Sequence, residues 1–418
     1  MILNKQFRRK KSEVFGAGSL AERIEQMVGN DALRWYIAQI AENEIVIEAT
    51  IDDQSAGRLA ASAKDRHYPG KTVALSLVPT GVGCDIGGYA GDAAPATNLL
   101  AATVDYLVTN PNAVNASDFI CLNNERIVYT DGFSIDLFAR GCVDLYLPYA
   151  NKVGLIIEKS DDRQLDVVFN IVNAVRAVHG VDIEEFVITE GPIGGRCVRN
   201  ESGAFAGTID NPNVLFNACE KLLSRGANAI AITSNIQDLP LDYYAKHFDG
   251  NFPNPVGGVE AIISYSVATR FQVPVAHAPL INVKQLDLKH NVVDARGAGE
   301  MASESGLACV LIGLRKAPQI AKERARAVRD IININNVLAV VAPATCLGGI
   351  PAIYAQQFNI PIIAVEENRT ILSANPSNLM LDNIIEVRNY AEAAGVMLAL
   401  KQGISLASIA RPLKTLRY

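Results

Sequence analysis

Cys84 and Cys346 occupy similar surroundings: each follows an expected strand and precedes a glycine pair, in Gly83-Cys84-Asp85 and Thr345-Cys346-Leu347. A thiol beside a helix N-terminus ionises more easily and becomes a competent nucleophile or base, whereas a small thiol packed in a loop stays inert. Asp85 has no capping duty within its own loop and is a candidate acid, base or metal ligand. Asp92, in Gly91-Asp92-Ala93-Ala94-Pro95, reads instead as the cap of a proline-started helix. Glu190 and Arg196 flank Gly191-Pro192-Ile193-Gly194-Gly195. On one loop they either orient a polar substrate, the guanidinium gripping a carboxylate or phosphate, or pair with each other. His277 follows one expected strand, and Glu366 and Arg369 follow another. Strand ends are where α/β proteins mount reactive side chains.

The elements that must position these groups are punctuated by four glycine pairs: Ile86-Gly87-Gly88, Ile193-Gly194-Gly195, Val256-Gly257-Gly258 and Leu347-Gly348-Gly349. Glycine lets backbone amides approach a ligand, and a helix N-terminus adds roughly half a positive charge, so the combination makes an anion site. A single pair is equally at home as a packing device. Two of the units are alike beyond the glycines. Gly257-Gly258-Val259-Glu260-Ala261-Ile262 leads to Phe271-Gln272-Val273-Pro274-Val275, and Gly348-Gly349-Ile350-Pro351-Ala352-Ile353 leads to Phe358-Asn359-Ile360-Pro361-Ile362. No nucleotide fingerprint is present, because Gly297-Ala298-Gly299-Glu300-Met301-Ala302 has the glycine spacing without the preceding strand, and no P-loop occurs.

Apolar β-branched runs alternate with amphipathic stretches along most of the chain, which predicts an α/β fold with a mainly parallel, doubly wound, Rossmann-like sheet or sheets. Expected strands include 44–51, 72–78, 153–158, 186–189, 229–233, 273–276, 308–312, 337–342 and 360–365; 20–41 reads as helical. A boundary is expected near residue 180, giving an N-terminal lobe (1–180, with a basic arm at Arg8-Arg9-Lys10-Lys11) and a C-terminal lobe (181–418) holding the two similar units. At 418 residues the chain has room for both.

The net charge of −6 argues against a nucleic-acid partner, and no apolar run approaches the ~20 residues of a membrane span. Seven widely spaced cysteines read as reduced thiols, and no pair stands two residues apart as a zinc site needs. No metal or cofactor is indicated, and association into a homo-oligomer is left open.

The loop Pro79-Thr80-Gly81-Val82-Gly83-Cys84-Asp85-Ile86-Gly87-Gly88, with Gly91-Asp92-Ala93-Ala94-Pro95-Ala96-Thr97 and Ala342-Pro343-Ala344-Thr345-Cys346-Leu347-Gly348-Gly349, resembles a family of unknown function found in cyanobacteria and plant plastids. The resemblance implies a photosynthetic source and a cytoplasmic setting, stromal in plastid relatives, and carries no activity. The residues themselves suggest an enzyme acting on a small anionic metabolite, a carboxylate or phosphorylated compound, by acid–base chemistry of the isomerase or lyase type. The alternative is a non-catalytic metabolite-binding regulator or a photosynthetic assembly factor.

Overall fold

Runs of Val, Ile, Leu and Ala without polar alternation belong to strands covered on both faces, and two all-parallel sheets are built from them. The computed structural model describes residues 1–52, 68, 70–116, 120–121, 124–237, 239–280, 292–303, 305–322 and 327–417. The first parallel sheet has six strands in the order Ile384–Val387, Ile362–Val365, Val337–Pro343, Val73–Ser76, Tyr106–Thr109, Ile127–Tyr129. The second has four, in the order Phe186–Ile188, Val153–Ile157, Ala229–Ser234, Val275–Pro279. Position 180 lies within the segment that supplies the second sheet, and the first sheet takes strands from both sides of it.

Both parallel sheets carry helices on both faces, as a doubly wound α/β fold requires. Gly132–Ala139 and Ile350–Gln357 cover one face of the first sheet, and Ala94–Ala101 and Tyr390–Lys401 the other. Pro212–Ser224 and Gly257–Phe271 cover one face of the second sheet, and Asp162–His179 and Leu307–Leu314 the other. Asp162–His179 is defined locally at both ends: the Asp161 carboxylate accepts from the Gln164 amide, and Gly180 closes the helix at φ 61°.

A third, mixed sheet was legible from alternation only in the strand read over 44–51, which runs Glu44–Asp52. Its order is Ile236–Gln237, Gly195–Arg199, Phe205–Ile209, Ile2–Lys10, Glu44–Asp52, Ala32–Ile40, antiparallel except at the first pair. Two expectations change here. The helix read over 20–41 ends at Val28, and Ala32–Ile40 is a strand, because Trp35 and Ile37 find burial only by pairing with Glu44–Asp52. The Gly194-Gly195 pair leads into a strand rather than a helix, with Gly195 packed against Val259 and Ile263. Likewise 308–312 lies in the helix Leu307–Leu314, an apolar run buried almost all round, for which periodicity alone cannot separate strand from helix.

The two similar units keep their likeness in three dimensions. Each runs from a helix through Phe271-Gln272 or Phe358-Asn359 into a parallel strand, and Gln272 and Asn359 both sit at φ 53°. Among the described residues they are the only non-glycine positions in the left-handed region.

Candidate functional site

The carboxyl ends of both parallel sheets open onto one cavity of about 320 Å³. Leu77 to Thr80, Asn110, Asp131 and Ala342 reach it from the first sheet, and Ala276 to Pro279 from the second. The mixed sheet closes it with Arg34, Trp35, Tyr36 and Phe205. Four helices also present their N-terminal ends: Gly132–Ala139, Gly257–Phe271, Leu307–Leu314 and Ile350–Gln357. A glycine stands at each start, at Gly132, Gly257 with Gly258, Gly306 and Gly349. The close approach is real at Gly258, where a Cβ would lie 2.1 Å from the Phe205 carbonyl oxygen. Four converging helix N-termini give the cavity a positive backbone potential.

Glu260, in the first turn of its helix, meets His277 in the strand that the helix covers. His277 Nδ1 lies 3.1 Å from Glu260 Oε2, and its Nε2 lies 2.8 Å from Ser234 Oγ at the end of the neighbouring strand. The spacing is that of a Ser-His-Glu relay, but its orientation is reversed from a hydrolase. Ser234 is fully buried and does not line the cavity, whereas the Glu260 side chain is 22% exposed to it. The accessible end is the carboxylate. Behind the imidazole stands buried Glu158, whose oxygens accept the amides of Ile193 and Asn235 at 3.1 and 2.9 Å; burial raises its pKa, and those amides and His277 draw it back. The Glu260–His277 pair, with its carboxylate at the cavity, is placed to exchange a proton with a cavity ligand.

A second carboxyl faces the same space. Burial pushes Glu300 up to about 7, against a weak pull from the Ala90 amide and with an added push from Glu260 and Asp92. Asp131, which caps its helix by accepting from the Ser134 amide and hydroxyl, is pushed up to about 6 by burial. Arg34 is the cavity's guanidinium. It lies over the rings of Tyr36 and Tyr265 at 5.9 and 5.8 Å, and it makes no hydrogen bond or ion pair among the described residues. Sequence reading missed Arg34, Glu260 and Glu300. Arg34 was hidden by the helical reading of its segment, and Glu260 by its place inside a motif read for its glycines. Glu300 lies in the glycine-spaced run dismissed as a nucleotide site.

Of the residues singled out from sequence, His277, Cys346, Gly257, Gly258 and Gly349 line the cavity. Gly348 packs instead on strand Ala32–Ile40, where a Cβ would meet the Ile37 carbonyl oxygen at 2.5 Å. Cys84 is buried behind the wall and donates to the Pro79 carbonyl oxygen at 3.2 Å. Burial pushes Cys346 up to about 12 despite Arg34, and raises Cys84 well above the ordinary thiol range, so both stay protonated at neutral pH rather than activated. Asp85 is exposed and ties its loop to the Arg369 amide at 3.4 Å; Arg369 and Glu366 are themselves exposed. Glu190 pairs with Lys221 and Arg196 with Asp210, not with each other. Gly87, Gly88, Gly194 and Gly195 lie away from the cavity wall. Among the described residues no three His, Cys, Asp or Glu side chains are grouped to hold a metal, and six cysteines remain thiols; the side chain of Cys121 lies outside the description.

Residues 73–410 match the family described as protein of unknown function DUF3326. The chain belongs to DUF3326. The match takes in Glu260, His277, Glu300, Cys346 and every helix-start glycine of the cavity, while Arg34 to Tyr36 come from outside it. The chain is also similar to an uncharacterised lipoprotein of a Synechococcus strain, 34% identical over 345 residues that cover 82% of this chain and 94% of the relative. This cyanobacterial likeness to a DUF3326 chain corrects the freely cytoplasmic setting expected above, because the relative is by name a lipoprotein. Among the described residues no helix is long and apolar enough to cross a membrane. No solved structure matches.

Proposed function

We propose that this protein is an enzyme that moves a proton on a small carboxylate or phosphorylated metabolite held in the cavity. The observation that carries the reading is the Glu260–His277–Ser234 relay, with its carboxylate turned into the cavity. Arg34 and the four helix N-termini supply the anion grip. Glu260 takes the proton from the carbon next to the anionic group, and the imidazole of His277 shares the charge. The electron pair left on carbon is delocalised into the carboxylate that Arg34 neutralises, and reprotonation by the same pair or by Glu300 completes an isomerisation or exchange.

The strand order supports the same location. Numbered by position in the chain, the six-stranded sheet reads 3-2-1-4-5-6, the order of a Rossmann fold. Its reversal falls between Val73–Ser76 and Val337–Pro343. Ligands of open α/β sheets bind outside such a reversal, and Leu77 to Thr80, Ala342 and Cys346 line the cavity there.

Proton NMR in D2O tests the reading. Small carboxylates and sugar phosphates are incubated with the protein and followed for loss of the signal next to the anionic group. Exchange in the wild type should fall about 10²- to 10⁴-fold in Glu260→Gln and His277→Asn. Binding without exchange in the wild type would leave a metabolite sensor and remove the enzyme.

A further inference from the structure

Among the described residues of the cavity wall Arg34 is the one guanidinium, and Asp131, Asp136, Glu260 and Glu300 are the carboxyls. The Arg34 charge acts on Asp136, Tyr36, Tyr265 and Cys346. Glu300 is acted on by Glu260 and Asp92 instead. Asp136, beside Arg34, accepts from the Tyr265 hydroxyl at 2.9 Å, and Arg34 itself lies over the Tyr36 and Tyr265 rings without a hydrogen bond or ion pair among the described residues. Two carboxyl side chains, Glu260 and Glu300, are 22% and 23% exposed and repel each other.

A ligand that is only an anion satisfies the Arg34 end and leaves the two carboxylates opposed. A ligand that is only a cation does the reverse. One carrying both charges satisfies both, and about 320 Å³ is at the small end of the ~300–1,000 Å³ typical of ligand cavities.

We infer that the cavity binds a free α-amino acid, its carboxylate on Arg34 and its ammonium on Glu300 beside Glu260. The inference rests on the acid–base reading above and narrows its substrate class. It also places the α-carbon between the two ends, within the wall that carries the Glu260–His277 pair. An ammonium arriving at Glu300 favours its ionised form, so binding near neutral pH is expected to release a proton.

Calorimetry and thermal-shift measurements on the full chain test this. The probes are the twenty proteinogenic amino acids, then the N-acetyl, 2-hydroxy-acid and decarboxylated forms of each one that binds. At least one amino acid should bind, with every analogue about tenfold weaker or worse, as loss of a charge-assisted hydrogen bond implies. Titration in two buffers of different ionisation enthalpy should reveal the released proton. Glu300→Gln should weaken the amino acid about tenfold and leave the 2-hydroxy acid unchanged, while Arg34→Met weakens both. The analogue series on the wild type decides the matter even where a variant folds poorly. Equal binding of an amino acid and its N-acetyl form overturns the inference. Binding of simple carboxylates or phosphates with no amino acid also overturns it, yet leaves the acid–base reading standing. If none of these compounds binds, both fall.

Discussion

Burial beside Glu260 and Asp92 holds the Glu300 carboxyl up at about 7, against an ordinary value of 4.5. Between those two values the unfolded chain loses this proton and the folded chain keeps it. Stability from this group is therefore complete below 4.5 and is lost as pH rises through 7. Glu300→Gln removes the titration while keeping the shape. The variant should match the wild type near pH 4.5 and be more stable at pH 8, by on the order of 2 kcal/mol, in urea unfolding at the two values. Asp92 and Asp131, both pushed up to about 6 by burial, act with the same sign and keep a residual slope in the variant. A Glu300→Gln protein that loses stability at pH 8 would mean that the carboxylate is favourably held in the fold.

The glycines at the element ends divide into two kinds, and substitution separates them. Gly258 lets its helix end abut the backbone of strand Phe205–Ile209, and no flexible side chain is there to yield. Gly258→Ala should cost about 1–3 kcal/mol in chemical denaturation, the usual range for overpacking. Gly349 has φ −84°, available to any residue, and a Cβ there meets only Pro351 Cδ at 3.8 Å. Gly349→Val should therefore fold with nearly wild-type stability while its side chain fills part of the cavity. The readout is ligand stabilisation: about 2.7 kcal/mol in the wild type at a hundredfold excess over Kd, and little in the variant. If Gly349→Val responds to ligand as the wild type does, that helix end is a packing device and not part of the site.

The whole molecule is held together by its first fifty residues as much as by its parallel sheets. Ile2–Lys10, Ala32–Ile40 and Glu44–Asp52 make half of the mixed sheet, and Trp35, Ile37, Ile45 and Ile47 belong to the same apolar core as Val73, Leu75 and Val340 of the first parallel sheet. Glu48, fully buried in that region, is met by Gln6, Tyr36, Asn200 and Ser202, so the N-terminal strands and the 195–209 hairpin share one polar network. A chain starting at residue 70 keeps the DUF3326 match but loses Arg34 and uncovers this core. It should fail to unfold cooperatively and should bind the hydrophobic dye ANS. A cooperative, soluble fragment that still binds ligand would show that the site is complete without the mixed sheet.

Much of the α/β architecture was legible because parallel strands leave a local signature: short β-branched runs, glycine at the turn, an amphipathic helix after it. The same signature marked Gly257, Gly258 and Gly349, whereas His277, expected just after a strand, lies within the strand Val275–Pro279. It failed where the deciding contact is distant. Ala32–Ile40 is a strand because Glu44–Asp52 and the core beneath it accept Trp35 and Ile37. Leu307–Leu314 is a helix because it is packed between elements on nearly every side. Cys84 and Cys346 follow parallel strands, yet burial keeps both thiols protonated. Glu260 facing His277 and Glu300 facing Glu260 arise only when a helix, a strand and a distant short segment converge. Charge and periodicity are properties of neighbours in the chain, whereas a site is made of neighbours in space.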